Sequence, residues 1–287
     1  MGTAGAVLAV VAWYAAAHAQ DPDIIMARVA ANQDRAQQMR SLFVYRQSML
    51  IRCKRSGGKL AREEQREYTV TPSDKGFTKT LDHFTGKYEK GGKFFEYDKP
   101  GYHYKGVDID SDLADSLAKD LADDKNARDG VSRSLFPLTA AQQKKFVFHL
   151  EGKEDYRSAQ VYRITFTPKQ LSLLDCDDDG ESTCWAGEAL IDTREFQPVL
   201  ITSWLAKDLP RAVRVLLGTS FTHVGFKVSY KKFEDGLWFP VTYGGEFRVR
   251  GLFLYKRTFA ISVINSGFQR SEVTSTVRFE KPAGLPD

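Results

Sequence analysis

Two periodicities share this chain, and the period of two dominates. After an apolar start, Met1 to Ala16, Asp21 can cap a helix and Pro22 suits its first position. Ile25, Val29, Ala36 and Met39 then recur at roughly helical spacing as far as Arg40. From Leu42 the pattern switches: in LFVYRQSMLIRC, Phe43, Tyr45, Met49, Ile51 and Cys53 fall on one face, with Arg46, Ser48 and Arg52 on the other. That alternation marks a half-buried strand. The turn signals Ser56-Gly57-Gly58-Lys59, Ser73-Asp74-Lys75-Gly76 and Lys90-Gly91-Gly92-Lys93 divide the next stretch into REEQREYTVT, FTKTLDHF and a further hairpin. These strands carry many charges, which fits a sheet with one face in water.

Helical periodicity returns in SDLADSLAKDLADD. Leu113, Leu117 and Leu121 repeat every four residues there, with Ala114, Ala118 and Ala122 beside them and Asp112, Asp115, Lys119 and Asp123 on the predicted outer face. A short helix capped by Thr139 precedes the strands FVFHLEG, QVYRITFTP, WAGEALIDT and VLITSWLA. In LPRAVRVLLG, Leu209, Val213, Leu216 and Leu217 share a face and Gly218 can end the helix. Two long strands, Ser220 to Phe233 and Leu237 to Val249, meet at Glu234-Asp235-Gly236, and LYKRTFAISVI and VTSTVRFE follow. With no βαβ alternation, the class is α+β with a dominant antiparallel sheet of about 11–12 strands. Neither a repeat nor a linker divides the chain, so residues 20–287 are expected to form one domain.

The apolar start has no charged side chain and runs into Ala17-His18-Ala19. It predicts a signal peptide over residues 1–19 and export of the rest, because the run is too short to cross a bilayer and no stop-transfer flank follows. The mature form is then expected to have no stable membrane span. A net charge of +4 from 41 basic and 37 acidic residues argues against nucleic-acid binding. Cys176 and Cys184 flank an acidic loop and can close a disulfide ring worth about 2–3 kcal/mol. Cys53 is read as a buried free thiol.

The stretch WAGEALIDTREFQPVLITSWL ends a strand in Asp192 before a turn and Pro198. Later, FKVSYKKFEDGLWFPVTYGGEF carries Lys232, Phe233, Asp235, Gly236, Trp238 and Pro240 in a hairpin. Together with the order of elements, these motifs resemble the LolA-like half-barrels of outer-membrane lipoprotein-sorting proteins. The resemblance covers most of the chain in layout and about 60 residues in motif, although this chain is longer than a typical lipoprotein carrier. It implies a strongly curved sheet, a half-open β-barrel whose apolar concave side is partly covered by helices, in a periplasmic protein. The implied partners are an apolar ligand or lipoprotein, or a protein of the cell envelope.

Strand alternation supplies the candidate lining. Phe43, Tyr45, Met49 and Ile51 share a face of one strand, Val224, Phe226, Val228 and Tyr230 of another, and Leu237, Phe239, Val241 and Tyr243 of its partner. Such faces are ordinary core taken singly, but as a set they suit an acyl-chain pocket. The segments containing Leu113, Leu117 and Leu121 and containing Leu209, Val213, Leu216 and Leu217 are the candidate lids. In the acidic loop, Asp175, Asp177, Asp179 and Gly180 match the start of a calcium loop. Its twelfth position is Ala186 where a bidentate Glu is required, so a solvated acidic turn is expected and no metal. The histidines His18, His83, His103, His149 and His223 are scattered, and no nucleophile, metal or phosphate motif appears. No catalytic residue and no cofactor are expected. The two readings left are a carrier or sensor with an apolar cargo and an envelope scaffold with a filled core.

Overall fold

The computed structural model describes residues 21–73, 76–122, 138–171, 184–206, 219–233, 236–251 and 255–271. Helix α1 (Pro22–Arg40) opens as its sequence predicts, with the Asp21 carboxylate accepting from the Asp23 N–H and Pro22 at the first position. Strands β1 (Phe43–Arg55), β2 (Leu60–Ser73), β3 (Gly76–Lys90) and β4 (Lys93–Tyr97) follow as hairpins. Two helices, α2 (Ile109–Ala122) and α3 (Ala140–Gln143), come next. The chain then lays down β5 (Phe146–Tyr156), β6 (Ala159–Pro168), β7 (Trp185–Asp192), β8 (Pro198–Leu205), β9 (Thr219–Lys232), β10 (Trp238–Gly251) and β11 (Tyr255–Arg270).

The eleven strands of the described residues form one curved, unclosed antiparallel sheet in the order β4-β3-β2-β1-β11-β10-β9-β8-β7-β6-β5. Every neighbour is consecutive in sequence except β1 and β11, which pair from Phe43↔Arg270 to Arg55↔Arg257. This is the expected α+β half-barrel. The expected strand VTSTVRFE and the expected helix at 209–217 lie outside the described residues.

The concave side is packed by helices. Ile25, Met26 and Val29 of α1 meet Met49, Ile51 and Cys53 of β1, Phe226, Val228 and Tyr230 of β9, and Phe259, Ile261 and Val263 of β11 in the main core. Each such side chain contributes roughly 1.5–3 kcal/mol when removed from water. Ala36 is buried as expected, but Met39, expected on the same stripe, is exposed, and Arg40 is buried in its place at that end. At two places the sheet needs glycine. A Cβ on Gly86 would stand 2.3 Å from the Tyr97 ring, and one on Gly187 would stand 2.3 Å from the Phe166 ring. In both cases an aromatic ring occupies the space a side chain would take.

Candidate functional site

The concave surface divides into three regions along the strands. In the middle, Tyr45, Met49, Ile51, Phe226, Val228, Tyr230 and Tyr243 are all nearly buried. Apart from Tyr45, they share one cluster with α1 and with Ala114 and Ala118 of α2. Leu113 and Leu117 pack against it from the same helix. Leu121 belongs to α2, but its side chain is not among those described, and the same holds for Val224 in β9. Leu209, Val213, Leu216 and Leu217 lie outside the described residues.

One end of the sheet holds an aromatic pocket of about 440 Å³, lined by Phe43, Lys231, Lys232, Phe233, Leu237, Phe239 and Phe268. Its rings meet edge to face: Phe43 on Phe239 (5.4 Å, 82°), Phe233 on Phe239 (5.6 Å, 90°) and Phe233 on Phe268 (4.9 Å, 65°). Phe268 also packs on Tyr45 (5.3 Å), so Tyr45 backs the wall from the core side. Val241 does not complete this face. A bulge between Pro240 and Thr242 breaks the alternation of β10 and leaves Val241 half-buried. Lys231 lies over the Phe233 ring at 6.0 Å, while Lys232 pairs with Glu195. Burial alone would raise the Glu195 pKa, but Lys232 and the Trp238 indole N–H (2.9 Å) outweigh it and hold it below the usual carboxylate range.

Between this pocket and the core runs a buried amide layer. Gln47 Nε2 donates to the Tyr243 hydroxyl (2.7 Å) and to Asn265 Oδ1 (3.1 Å), and Asn265 Nδ2 donates to the Pro240 carbonyl (3.0 Å). Along β1 the order is thus aromatic at Phe43, amide at Gln47 and aliphatic at Met49. The layer ties β1, β10 and β11 together by directional bonds, which fix the spacing of the pocket walls better than apolar packing alone.

The third region, under α2, is charged. The side chains of Arg62, Glu64 and Arg66 point inward from β2 and are buried, which corrects the expectation of a simple wet face there. Arg62 donates to Tyr97 Oη (2.7 Å), Asp108 Oδ2 (2.5 Å) and the Tyr102 carbonyl (3.0 Å). Arg66 pairs with Glu64 and with Asp115 of α2. Asp115 was expected on the outer face of that helix. Arg257 Nε donates to Asp110 (2.9 Å), as does the Tyr255 hydroxyl (2.7 Å). Burial alone would lower the Arg66 pKa, but Glu64 and Asp115 more than offset it and hold the guanidinium charged. Burial, then Asp110, pushes the Cys53 thiol far up, so the sulfur stays protonated. The sequence did not flag this cluster; its only signal is the alternation Arg-x-Glu-x-Arg on one strand face.

Cys53 is free and buried as read from the sequence. Cys184 is buried and disulfide-bonded; its expected partner Cys176 and the acidic loop 175–181 lie outside the described residues. His103 pairs with Asp112 (2.8 Å) in a loop whose flanking Tyr102 and Tyr104 stack on Tyr97 and Tyr88. Among the described residues no group of three His, Cys, Asp or Glu side chains could hold a metal ion, and no helix is long and apolar enough to cross a membrane.

No protein family and no curated protein matches the sequence. Solved structures match the fold. A Vibrio parahaemolyticus domain provisionally assigned as an outer membrane lipoprotein-sorting protein matches over 89% of this chain and 95% of its own, with 9% identity and a TM-score of 0.40. A DUF1329 family protein from Desulfovibrio piger matches over 89% and 95%, with 14% identity and a TM-score of 0.36. A LolA superfamily protein from Nitrosomonas europaea matches over 88% and 94%, with 10% identity and a TM-score of 0.35. The chain is similar in layout, over 88–89% of its length, to LolA superfamily and DUF1329 proteins.

Proposed function

We propose that this is an exported, non-catalytic protein that holds an apolar ligand, such as a lipid or lipoprotein acyl chain, as a carrier or sensor. The observation that carries the reading is the aromatic pocket of about 440 Å³, within the size range of small-molecule sites and walled by four phenylalanines and Leu237. Of the lining expected from the sequence, Phe43, Leu237 and Phe239 stand on this pocket. The other described members pack into the core, apart from half-buried Val241, so cargo enters at the Phe43 end and the middle of the concavity remains filled.

The test is a chain-length series of fluorescent or competing fatty acids. Each CH₂ buried is worth ~0.8 kcal/mol, about fourfold in affinity, until the pocket is full, after which affinity should plateau. Phe43→Glu places a carboxylate on the wall and should weaken binding at least tenfold with the circular dichroism spectrum unchanged. The filled middle of the concavity favours the scaffold reading as the alternative. Native mass spectrometry of protein purified from the cell envelope separates the two. Co-purifying lipid supports the carrier; a clean apo mass with no fatty-acid uptake supports the scaffold.

A further inference from the structure

The end of the sheet opposite the pocket has a different chemistry. There β1 turns into β2 through residues 55–59 and β3 into β4 through Lys90-Gly91-Gly92-Lys93, and an Arg55–Glu89 ion pair holds the two turns side by side. Phe94 and Phe95 follow the second turn on the edge strand, 51% and 44% exposed. Being consecutive in a strand they project to opposite faces, Phe94 near the Lys87 ammonium (5.8 Å) and Phe95 stacked on Tyr88 (5.6 Å). The turn is not loose. Gly91 and Gly92 have φ of 61° and 82°, as a two-residue hairpin turn demands, and the Glu89 carboxylate accepts from the Gly92 N–H (2.5 Å). Lys54, Lys59, Lys90 and Lys93 surround the tips, and Arg250 and Lys256 stand at the same end of β10 and β11. No ion pair links any of these six to a carboxylate among the described residues.

The geometry points to this end as a docking surface for an anionic lipid bilayer, with Phe94 and Phe95 entering the headgroup boundary and the cations facing lipid phosphates. Neither half of the surface would suffice. Cations without exposed rings suit any polyanion, and rings without cations suit any apolar partner. Aromatic rings at the tip of a rigid hairpin inside a basic rim suit the interface of a negatively charged membrane, where rings settle at headgroup depth. Each basic residue near such a surface gives about a fivefold gain in binding. Residues 43–55 of β1 span roughly 40 Å at strand rise, so docking by the hairpin tips turns the mouth of the aromatic pocket toward water. This inference does not depend on what the pocket holds.

Hydrogen exchange on the full chain, with and without large unilamellar vesicles, tests it. Exchange is read residue by residue because the apolar N-terminal segment has its own affinity for lipid. With phosphatidylcholine vesicles containing one-third phosphatidylglycerol, amides 55–59 and 90–95 should become protected. With phosphatidylcholine alone they should not. Phe94→Ser/Phe95→Ser and Lys90→Glu/Lys93→Glu should each weaken the tip protection at least tenfold in vesicle concentration. Both pairs are exposed, so an unchanged melting temperature confirms the fold. Unprotected tips on bound vesicles would overturn the proposal, as would no vesicle binding at all. Equal protection by soluble heparin with no loss in the Phe94→Ser/Phe95→Ser variant would also overturn it, and would identify a general polyanion site instead.

Discussion

Glu64→Gln tests how the charged region under α2 is held together. The Glu64 carboxylate is buried and accepts from Tyr97 Oη (2.7 Å), Arg62 Nη1 (3.3 Å), Arg66 Nε (2.9 Å) and Arg66 Nη2. Glutamine keeps the shape, removes the charge and, in either orientation, turns an amide N–H₂ toward an arginine N–H. Hydrogen bonds to charged groups contribute about 1.5–3 kcal/mol each, and removing one member of a buried ion pair costs about 3–5 kcal/mol. Asp108 and Asp115 remain to compensate the two arginines, which places the expected loss near the lower end, ~3 kcal/mol. With a urea slope of about 2–3 kcal/mol per molar, the midpoint should fall by about 1 M. Glu64→Met combined with Arg66→Met should cost less than Glu64→Gln alone, because no buried charge is then left uncompensated and Asp115, partly exposed, can turn to water. A Glu64→Gln midpoint within about 0.2 M of the parent would refute the reasoning, as would a double variant less stable than the single one.

Further consequences can be measured separately. Gly86→Ala should lower stability by about 1–3 kcal/mol in a thermal melt, since its methyl must displace the Tyr97 ring that bonds Arg62 and Glu64; an unchanged melting temperature would count against the close packing. Cys53, Tyr97 and Tyr255 all have raised pKa values, burial being the main cause and a neighbouring carboxylate the next. The unfolded chain therefore releases these protons first. Stability should be complete below about pH 8.5 and decline above it, first through Cys53 and then, from about pH 10, through the tyrosines. Cys53→Ala should flatten the first part of that decline in urea titrations between those two pH values, and a parent profile already flat there would contradict the assignment. For the same reason Cys53 should react with a thiol reagent orders of magnitude more slowly in the folded chain than in urea.

The hydrophobic pattern revealed the strands and the helices because their apolar positions alternate or recur cleanly, as in Tyr45, Met49 and Ile51. It failed where both faces of a strand are charged. Along β2, Arg62, Glu64 and Arg66 alternate with Glu63, Gln65 and Glu67, and nothing local says which set faces inward. The answer comes from Asp108, Asp110 and Asp115, which a different part of the chain delivers onto β1, β2 and β11. The pocket was legible through Phe43, Leu237 and Phe239 but not through Phe233 or Phe268. Phe233 lies just past the end of β9, and Phe268 follows Gly267 (φ 62°), where pairing with β1 slips register between Val44 and Arg46. A glycine inside a strand pattern is the one local sign that a bulge re-aims the next side chain.

The pairing of β1 with β11 has a consequence for how the chain is made. As synthesis proceeds from the N-terminus, β1–β4 and β5–β10 can each zip up hairpin by hairpin, but they remain two separate sheets with long unsatisfied edges. Among the described strands only β11, Tyr255–Arg270, bridges them, and it must find β1 across more than two hundred residues. A chain truncated before that strand should be an aggregation hazard rather than a smaller version of the protein. Holding the polypeptide unfolded until β11 is available would suit this topology.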